Sequence, residues 1–451
     1  MKKFIPTYII LILFAGLFIF YHWSEKKEKP KDTQIFKVEK DKITEITLED
    51  KETKEKVVLK KENKEWKMLE PHPWEVDQEK INEMVEELST LEAERAFKEG
   101  EVKLEECGLK EPTYAVHFKA EEKTHTLLVG KKSPIGYQYY VKKEDSPTVY
   151  ILAGYTLDKF KKSALDLRER RIVKFEVDEV KKLALAYPEN KIVIEKKDDK
   201  WEITSPLKTD GDKWNIEDFL RDLKNLKAKE FIEDDAKDLS KYGLDNPPIK
   251  IELWLGKDMA YKGVNFGKTE EDIVYACRAG LNTVYGLDKD KAEKLRKDLF
   301  YFRNKVMLSF SFEDVKGLVL SWDKFNMEFE KKEEKWIMKK PEEKETKEGE
   351  VENILWTVKE LEASSFEAEE AKDLKPYGLD KPQLTLTLKL KDGEKTLYIG
   401  KEIKKDDEER VYAKVKDKPQ IFTVQKYVLD DLKKKPEDFL EKEEKKETQE
   451  N

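Results

Sequence analysis

The feature that most constrains this chain is that one unit is written three times. Trp66 and Pro71 in KEWKMLEP return as Trp201 and Pro206 in DKWEITSP and as Trp336 and Pro341 in EKWIMKKP, each pair 135 residues after the last. A second anchor keeps the same step: Gly108-Leu109 before Pro112, Gly243-Leu244 before Pro247, and Gly378-Leu379 before Pro382. A period this long gives each copy enough chain to bury a core of its own, so the pattern predicts tandem domains rather than a thin solenoid. The repeats are placed at 36–172, 173–307 and 308–440.

Each copy predicts the same order of elements. Alternating apolar residues before the Trp (Val57 and Leu59, Ile192 and Ile194, Met327 and Phe329) read as strands of a hairpin. After the Pro, one apolar stripe of helical period runs through Ile81, Met84, Val85, Leu88 and Leu91. It recurs as Ile216, Phe219, Leu220, Leu223 and Leu226, then as Val351, Ile354, Leu355, Val358 and Leu361, predicting helices over 77–92, 212–227 and 350–362. The period then returns to two, as in Tyr114, Val116 and Phe118, and three more strands follow. The expected fold class is α+β: three tandem units, each an antiparallel sheet with one long amphipathic helix on a face and a short closing helix. The charged run from about Lys433, and the end 441–451, are expected to be disordered.

Residues Phe4 to Trp23 carry no charged side chain. Twenty helical residues rise about 30 Å, the thickness of a bilayer's hydrocarbon core, so 1–23 is read as an N-terminal transmembrane anchor and 24–35 as a linker. A cleaved signal peptide would have a shorter apolar region and a small-residue cleavage site, which this stretch lacks. A literal count of flanking lysines places the body in the cytoplasm, whereas the short basic head at Lys2-Lys3 is that of a signal anchor. The second argument is preferred, with the body outside the cytoplasm.

Charge narrows the function. Lys+Arg number 90 and Asp+Glu 98, a near balance without the basic excess of a nucleic-acid binder. The Lys/Glu-rich, Gln-poor composition is like that of proteins from hot-growing organisms. Two cysteines, Cys107 and Cys277, cannot build a disulfide framework or a four-Cys metal site. His22, His72, His117 and His125 have no Cys or His partner at metal-site spacing. Gly263 to Thr269 (GVNFGKT) mimics a phosphate-binding loop with one residue too few between its glycines. The recurring pairs Gly130-Lys131, Gly267-Lys268 and Gly400-Lys401 are therefore read as turns at strand ends, where Gly takes positive φ. The Gly-Leu-x-x-Pro segment is read as a left-handed stop to a short helical turn. No catalytic, cofactor-binding or metal residue is assigned. Trp74, Trp254 and Trp322 are the candidates for an envelope-polymer surface. A glycan hydrolase, which needs two carboxylates at fixed separation, is the enzymatic alternative.

The repeat resembles a bacterial and archaeal domain of unknown function, the family numbered four-three-four-zero. The residues that carry the likeness are Trp201, Pro206, Tyr242-Gly243-Leu244-Asp245-Asn246-Pro247, Gly267 and Val284-Tyr285, with parallels in the third copy. The first copy departs, with Cys107 for Tyr and Lys110 for Asp. The resemblance implies a single-span membrane protein, often encoded beside ABC-transporter genes of the gliding-motility type. It carries no established catalytic residue. Together with the repeat it implies a membrane-tethered, non-catalytic scaffold or binding protein whose partners are the bilayer, through 4–23, and transporter subunits.

Overall fold

The computed structural model describes residues 33–405 and 407–441. The expected anchor, the linker up to residue 32 and the charged end from 442 lie outside the described residues. Among the described residues, no helix is long and apolar enough to cross a membrane. The chain forms two compact units, one ending at Arg171 and the other beginning at Ile172. The first holds an eight-stranded antiparallel sheet and the second holds two of nine strands.

In the first repeat, β1 (Ile43–Asp50), β2 (Glu55–Glu62) and β3 (Glu65–Glu70) form a meander that leads into the helix Gln78–Ser89. Then come a short β4 (Arg95–Phe97) and the meander β5 (Tyr114–Ala120), β6 (Lys123–Lys132), β7 (Gln138–Lys143) and β8 (Val149–Ala153). The spatial order is β3-β2-β1-β5-β6-β7-β8-β4, so β1 beside β5 joins the two meanders at the centre. The second and third repeats keep this order and add a two-residue edge strand before the helix, Thr209–Asp210 and Lys344–Glu345. These strands, and the short ones after each helix (Arg95–Phe97, Glu230–Glu233, Ser365–Ala368), escape sequence reading because two to four residues show no periodicity.

The long helices are Gln78–Ser89, Lys213–Lys224 and Glu350–Lys359, about three residues shorter than predicted at their C-terminal ends. Leu91, Leu226 and Leu361 are buried as their period demands. They sit beyond the helix, however, where their carbonyls accept from Ile35 N, Ile172 N and Met307 N at 2.8, 3.1 and 3.1 Å. Pairing with the incoming chain replaces the last helical turn. Asp77 and Asp212 cap the first two helices through their carboxylates. Ten to twelve residues are marginal as an isolated helix, so burial of the apolar stripe holds these in place. In the first copy Ile81, Met84, Val85 and Leu88 meet Ile46, Leu59, Val116 and Phe118 of the sheet. Each side chain so buried contributes about 1.5–3 kcal/mol.

A second, smaller apolar cluster lies apart from each main core: Cys107, Leu109 and Val149; Tyr242, Leu244, Cys277 and Val284; Leu379, Tyr412 and Ile421. It contains the Gly-Leu-x-x-Pro leucine. Within the second unit, the chain leaving the short helix Leu299–Phe302 passes directly into the third repeat. Phe302 belongs to one core and Met307 to the next. Between them the Arg303 guanidinium grips Glu369 with both ends, at 2.6 and 3.0 Å, and lies 3.5 Å from the centre of the Phe366 ring. The expectation of a disordered run from Lys433 is corrected as far as Leu440. Pro436–Phe439 forms a 3-10 turn, and Phe439 is fully buried against Phe329. A single aromatic in a charged stretch supplies the anchor.

Candidate functional site

The two motifs that recur in every copy, Gly-Leu and Gly-Lys, prove to be one structure. In the first repeat, the turn before Gly108 is closed by Leu109 N donating to Leu104 O at 2.8 Å, with Gly108 at φ +69°. Gly243 and Gly378 take the same left-handed conformation at +65° and +66°. Gly130, Gly267 and Gly400 do not. They lie inside long strands, at a bulge where the pairing skips between Val129 and Lys132, Phe266 and Thr269, and Ile399 and Glu402. A Cβ on these glycines would stand 2.1–2.2 Å from the carbonyl oxygens of Cys107, Tyr242 and Tyr377. The reading of Gly-Lys as a positive-φ turn is thus corrected. Glycine is required because the backbone of the other motif presses on it, and Lys131 N bonds Cys107 O at 2.8 Å.

That arrangement also disposes of the phosphate-loop likeness. Gly263 to Thr269 is part of the extended strand Ala260–Glu270, so its amides serve the sheet and do not curl around an anion. A groove of about 210 Å³ beside it is lined by Ile249, Phe266, Lys268, Thr269 and Arg296. The Lys268 ammonium there is taken by Glu270 at 2.6 Å.

The residue before each motif glycine is Cys in the first copy and Tyr in the other two, with a different partner in each. Tyr242 donates its hydroxyl to Glu233 at 2.7 Å, and this bond, with that of Lys241, holds the Glu233 carboxyl below its ordinary value. Tyr377 packs edge-on against Tyr412 with ring centres 5.1 Å apart. Cys107 fills the same place as a small buried thiol, pushed up in pKa mainly by burial.

Of the histidines and tryptophans singled out by sequence, His22 lies outside the described residues, and the rest are held by local partners. His117 bonds Thr126 through Nδ1 at 3.0 Å, while His125 stacks on Phe118 with ring centres 5.0 Å apart. His72 lies against Trp74, which is covered by the Arg168 guanidinium 4.4 Å from its ring centre. Trp254 packs against Tyr261, and Trp322 donates Nε1–H to Lys434 O at 2.9 Å. Trp254 and Trp322 sit half-buried in strands of different sheets. Among the described residues, Trp214 at the start of the second long helix is 77% accessible, and Trp356 in the third is 52% accessible. A lone tryptophan has no pattern by which sequence could single it out.

Two further features bear on chemistry. In the third repeat, a groove of about 500 Å³ separates the end of helix Glu350–Lys359 from helix Lys426–Leu432. Its walls carry Glu360, Glu362, Gln425, Tyr427 and Asp431. Among the described residues, no group of His, Cys, Asp and Glu has the spacing to hold a metal ion. The carboxyls of Glu202, Glu328 and Glu408 are displaced downward in pKa, the first two by hydrogen bonds to lysines and the third by hydrogen bonds to Gln425 and Arg410.

No curated protein and no solved structure matches the chain. The sequence model of a family described as Domain of unknown function (DUF4340) matches three times, over residues 66–204, 201–367 and 338–451. Each match begins on or just after the buried tryptophan of one repeat; the first two run into the repeat that follows, and the third runs to the end of the chain. With matches over most of its length, and with the recurring Trp, Gly-Leu and Gly-Lys residues serving the same packing in each copy, the chain belongs to the DUF4340 family and carries its domain three times in tandem.

Proposed function

We propose that this protein is a membrane-tethered, non-catalytic scaffold, carried outside the cytoplasm on the apolar segment 4–23 and assembled with an ABC-transporter-type complex of the envelope. The observation that carries the reading is how the recurring residues are used. Gly130, Gly267 and Gly400 serve the contact with the neighbouring carbonyl, and Trp66, Trp201 and Trp336 are buried in the cores. Exposed residues such as Ile135 in the first copy and Trp214 in the second have no counterpart in the other copies, as expected of modules that present different faces to partners. The downward-displaced carboxyls favour ion pairing over acid catalysis.

Crosslinking in intact membranes, followed by mass spectrometry of what co-purifies, tests this. Permease subunits are the expected product. Glycan retained by the fragment 34–440, with no permease recovered, would replace the scaffold with a polymer-binding protein.

A further inference from the structure

The hairpin joining β6 to β7 in the first repeat ends in Ser133-Pro134-Ile135-Gly136-Tyr137. Ile135 is 80% exposed, and Tyr155, which follows Gly154, is 68% exposed, so a branched apolar side chain and a phenol each project into solvent. The projection is firmly built. The Tyr137 ring lies on Gly154, where a Cβ would stand 2.4 Å from it, and Tyr137 O accepts from Gly154 N at 2.7 Å. Its hydroxyl bonds Asp158 at 2.9 Å, and the Lys132 ammonium sits 5.0 Å from the ring centre. The other copies do not share this tip. The corresponding residues are Glu270-Glu271-Asp272 in the second repeat and read Lys-Asp-Asp-Glu over 405–408 in the third.

The tip also lies at the end of the module where the chain arrives. Thr33 O accepts from Ala93 N at 2.8 Å. The next residue, Glu94, donates its N–H to Ile151 O at 2.9 Å and accepts the side-chain amide of Gln138 on its carboxylate. Gln138 is the foot of the hairpin, its carbonyl accepting from Ser133 N at 2.8 Å. Ala93 and Glu94 therefore link the arriving chain to the apolar tip. Only nine residues, 24–32, separate Thr33 from the apolar stretch 4–23. Nine residues reach about 30 Å at full extension.

We propose that the tip 133–137, with Tyr155, docks on the surface of the same bilayer that carries residues 4–23, and so fixes how the first repeat stands on the membrane; this rests on the tethered reading above. Ile135 enters the boundary of the acyl chains, the tyrosine hydroxyls lie at the headgroups, and Lys132 meets lipid phosphates. The copy beside the apolar segment carries the apolar tip, and the two copies farther along the chain carry acidic ones that a phospholipid surface repels.

The test uses the full chain in vesicles of mixed zwitterionic and anionic phospholipid, with Ile135→Cys bearing an environment-sensitive fluorophore. Cys107 and Cys277 are buried, so labelling falls on the introduced thiol. Glu271→Cys and Asp407→Cys are the controls at the other tips. The expected result is blue-shifted emission at 135 and loss of about half of it to lipids spin-labelled high on the acyl chain, with neither effect at 271 or 407. A chain that floats with vesicles but is not quenched at 135 overturns the docking and leaves the tether intact. Failure to float overturns both. A blue shift without lipid quenching assigns the tip to a protein contact and overturns the lipid assignment.

Discussion

Gln78 holds both backbone groups of Trp66. The Trp66 amide donates to Oε1 and Nε2 donates to the Trp66 carbonyl, each at 2.8 Å. In the second and third repeats the matching carbonyl is met instead by backbone, from Gly211 N at 2.8 Å and Thr346 N at 3.0 Å. One side chain thus replaces the edge strand that the first sheet lacks. Gln78→Ala is expected to cost about 1–3 kcal/mol locally. Hydrogen exchange at the Trp66 amide should accelerate about tenfold or more while Trp201 and Trp336 are unchanged. Undiminished protection at Trp66 would refute the substitution of side chain for strand.

The glycines provide a test in which room and φ predict opposite orders. Gly267 lies in a strand, but a Cβ there would be 2.1 Å from Tyr242 O. Gly280 has φ +80° and nothing within 4 Å of its missing Cβ. Gly280→Ala should cost about 1–2 kcal/mol, the strain of a left-handed residue. Gly267→Ala should cost more than the roughly 1–3 kcal/mol of ordinary overpacking, because backbone must move. Thermal unfolding of both variants ranks them, and a milder Gly267→Ala would show that the bulge has slack.

The same residues show what was legible in sequence. The helix stripe and the alternating strands were readable because burial imposes their period on residues such as Ile216, Phe219 and Leu220. Gly267-Lys268 was misread because sequence shows that a glycine is needed and not whether φ or space demands it. The helix ends were overrun at Leu91, Leu226 and Leu361 since a buried leucine after the helix looks like one within it. Trp74, Trp254 and Trp322 looked like a set only by residue type; their contacts are with Arg168, Tyr261 and Lys434 O. The apolar tip at Ile135 was hidden because one isoleucine in a turn carries no pattern.

Arg303 and Glu369 couple the second repeat to the third. The Arg303 side chain is 4% exposed and that of Glu369 is 47%. Removing Glu369 strands a buried guanidinium, whereas removing both partners does not. Glu369→Ala should cost about 2 kcal/mol. Exchange at the Met307 and Ala363 amides, which close this joint, should rise about 30-fold. The double variant Arg303→Met/Glu369→Ala should recover part of the loss. Additive effects across the cycle would mean that the pair does not couple the repeats.

Cys107 and Cys277 should be poor chemical reporters. Both are buried, and burial raises both thiol pKa values, so little thiolate is present or reachable near neutrality. Reaction with a maleimide should be slower by about a hundredfold or more in the native chain than in denaturant. Rapid native labelling of either residue would show that its cluster opens readily.

His125 should make the first repeat sensitive to mild acid. Its ring packs against both Phe36 and Phe118, and burial first, then Lys123 and Lys143, lower its pKa from the ordinary value. A histidine with a lowered folded pKa binds its proton more readily in the unfolded chain. Its contribution to stability is therefore complete above the unfolded value of about 6.5 and is lost as the pH falls through that value toward the folded one. Asp166, held low by Ser163 and nearby lysines against burial, loses its contribution as the pH falls through the ordinary carboxylate value toward its lower folded one, so the two windows separate. Denaturant midpoints of the full chain, followed by exchange at first-repeat amides, should fall between about pH 7.5 and pH 5 in the native sequence and by less in His125→Gln. Equal slopes in the two proteins would show that the proton is taken up elsewhere.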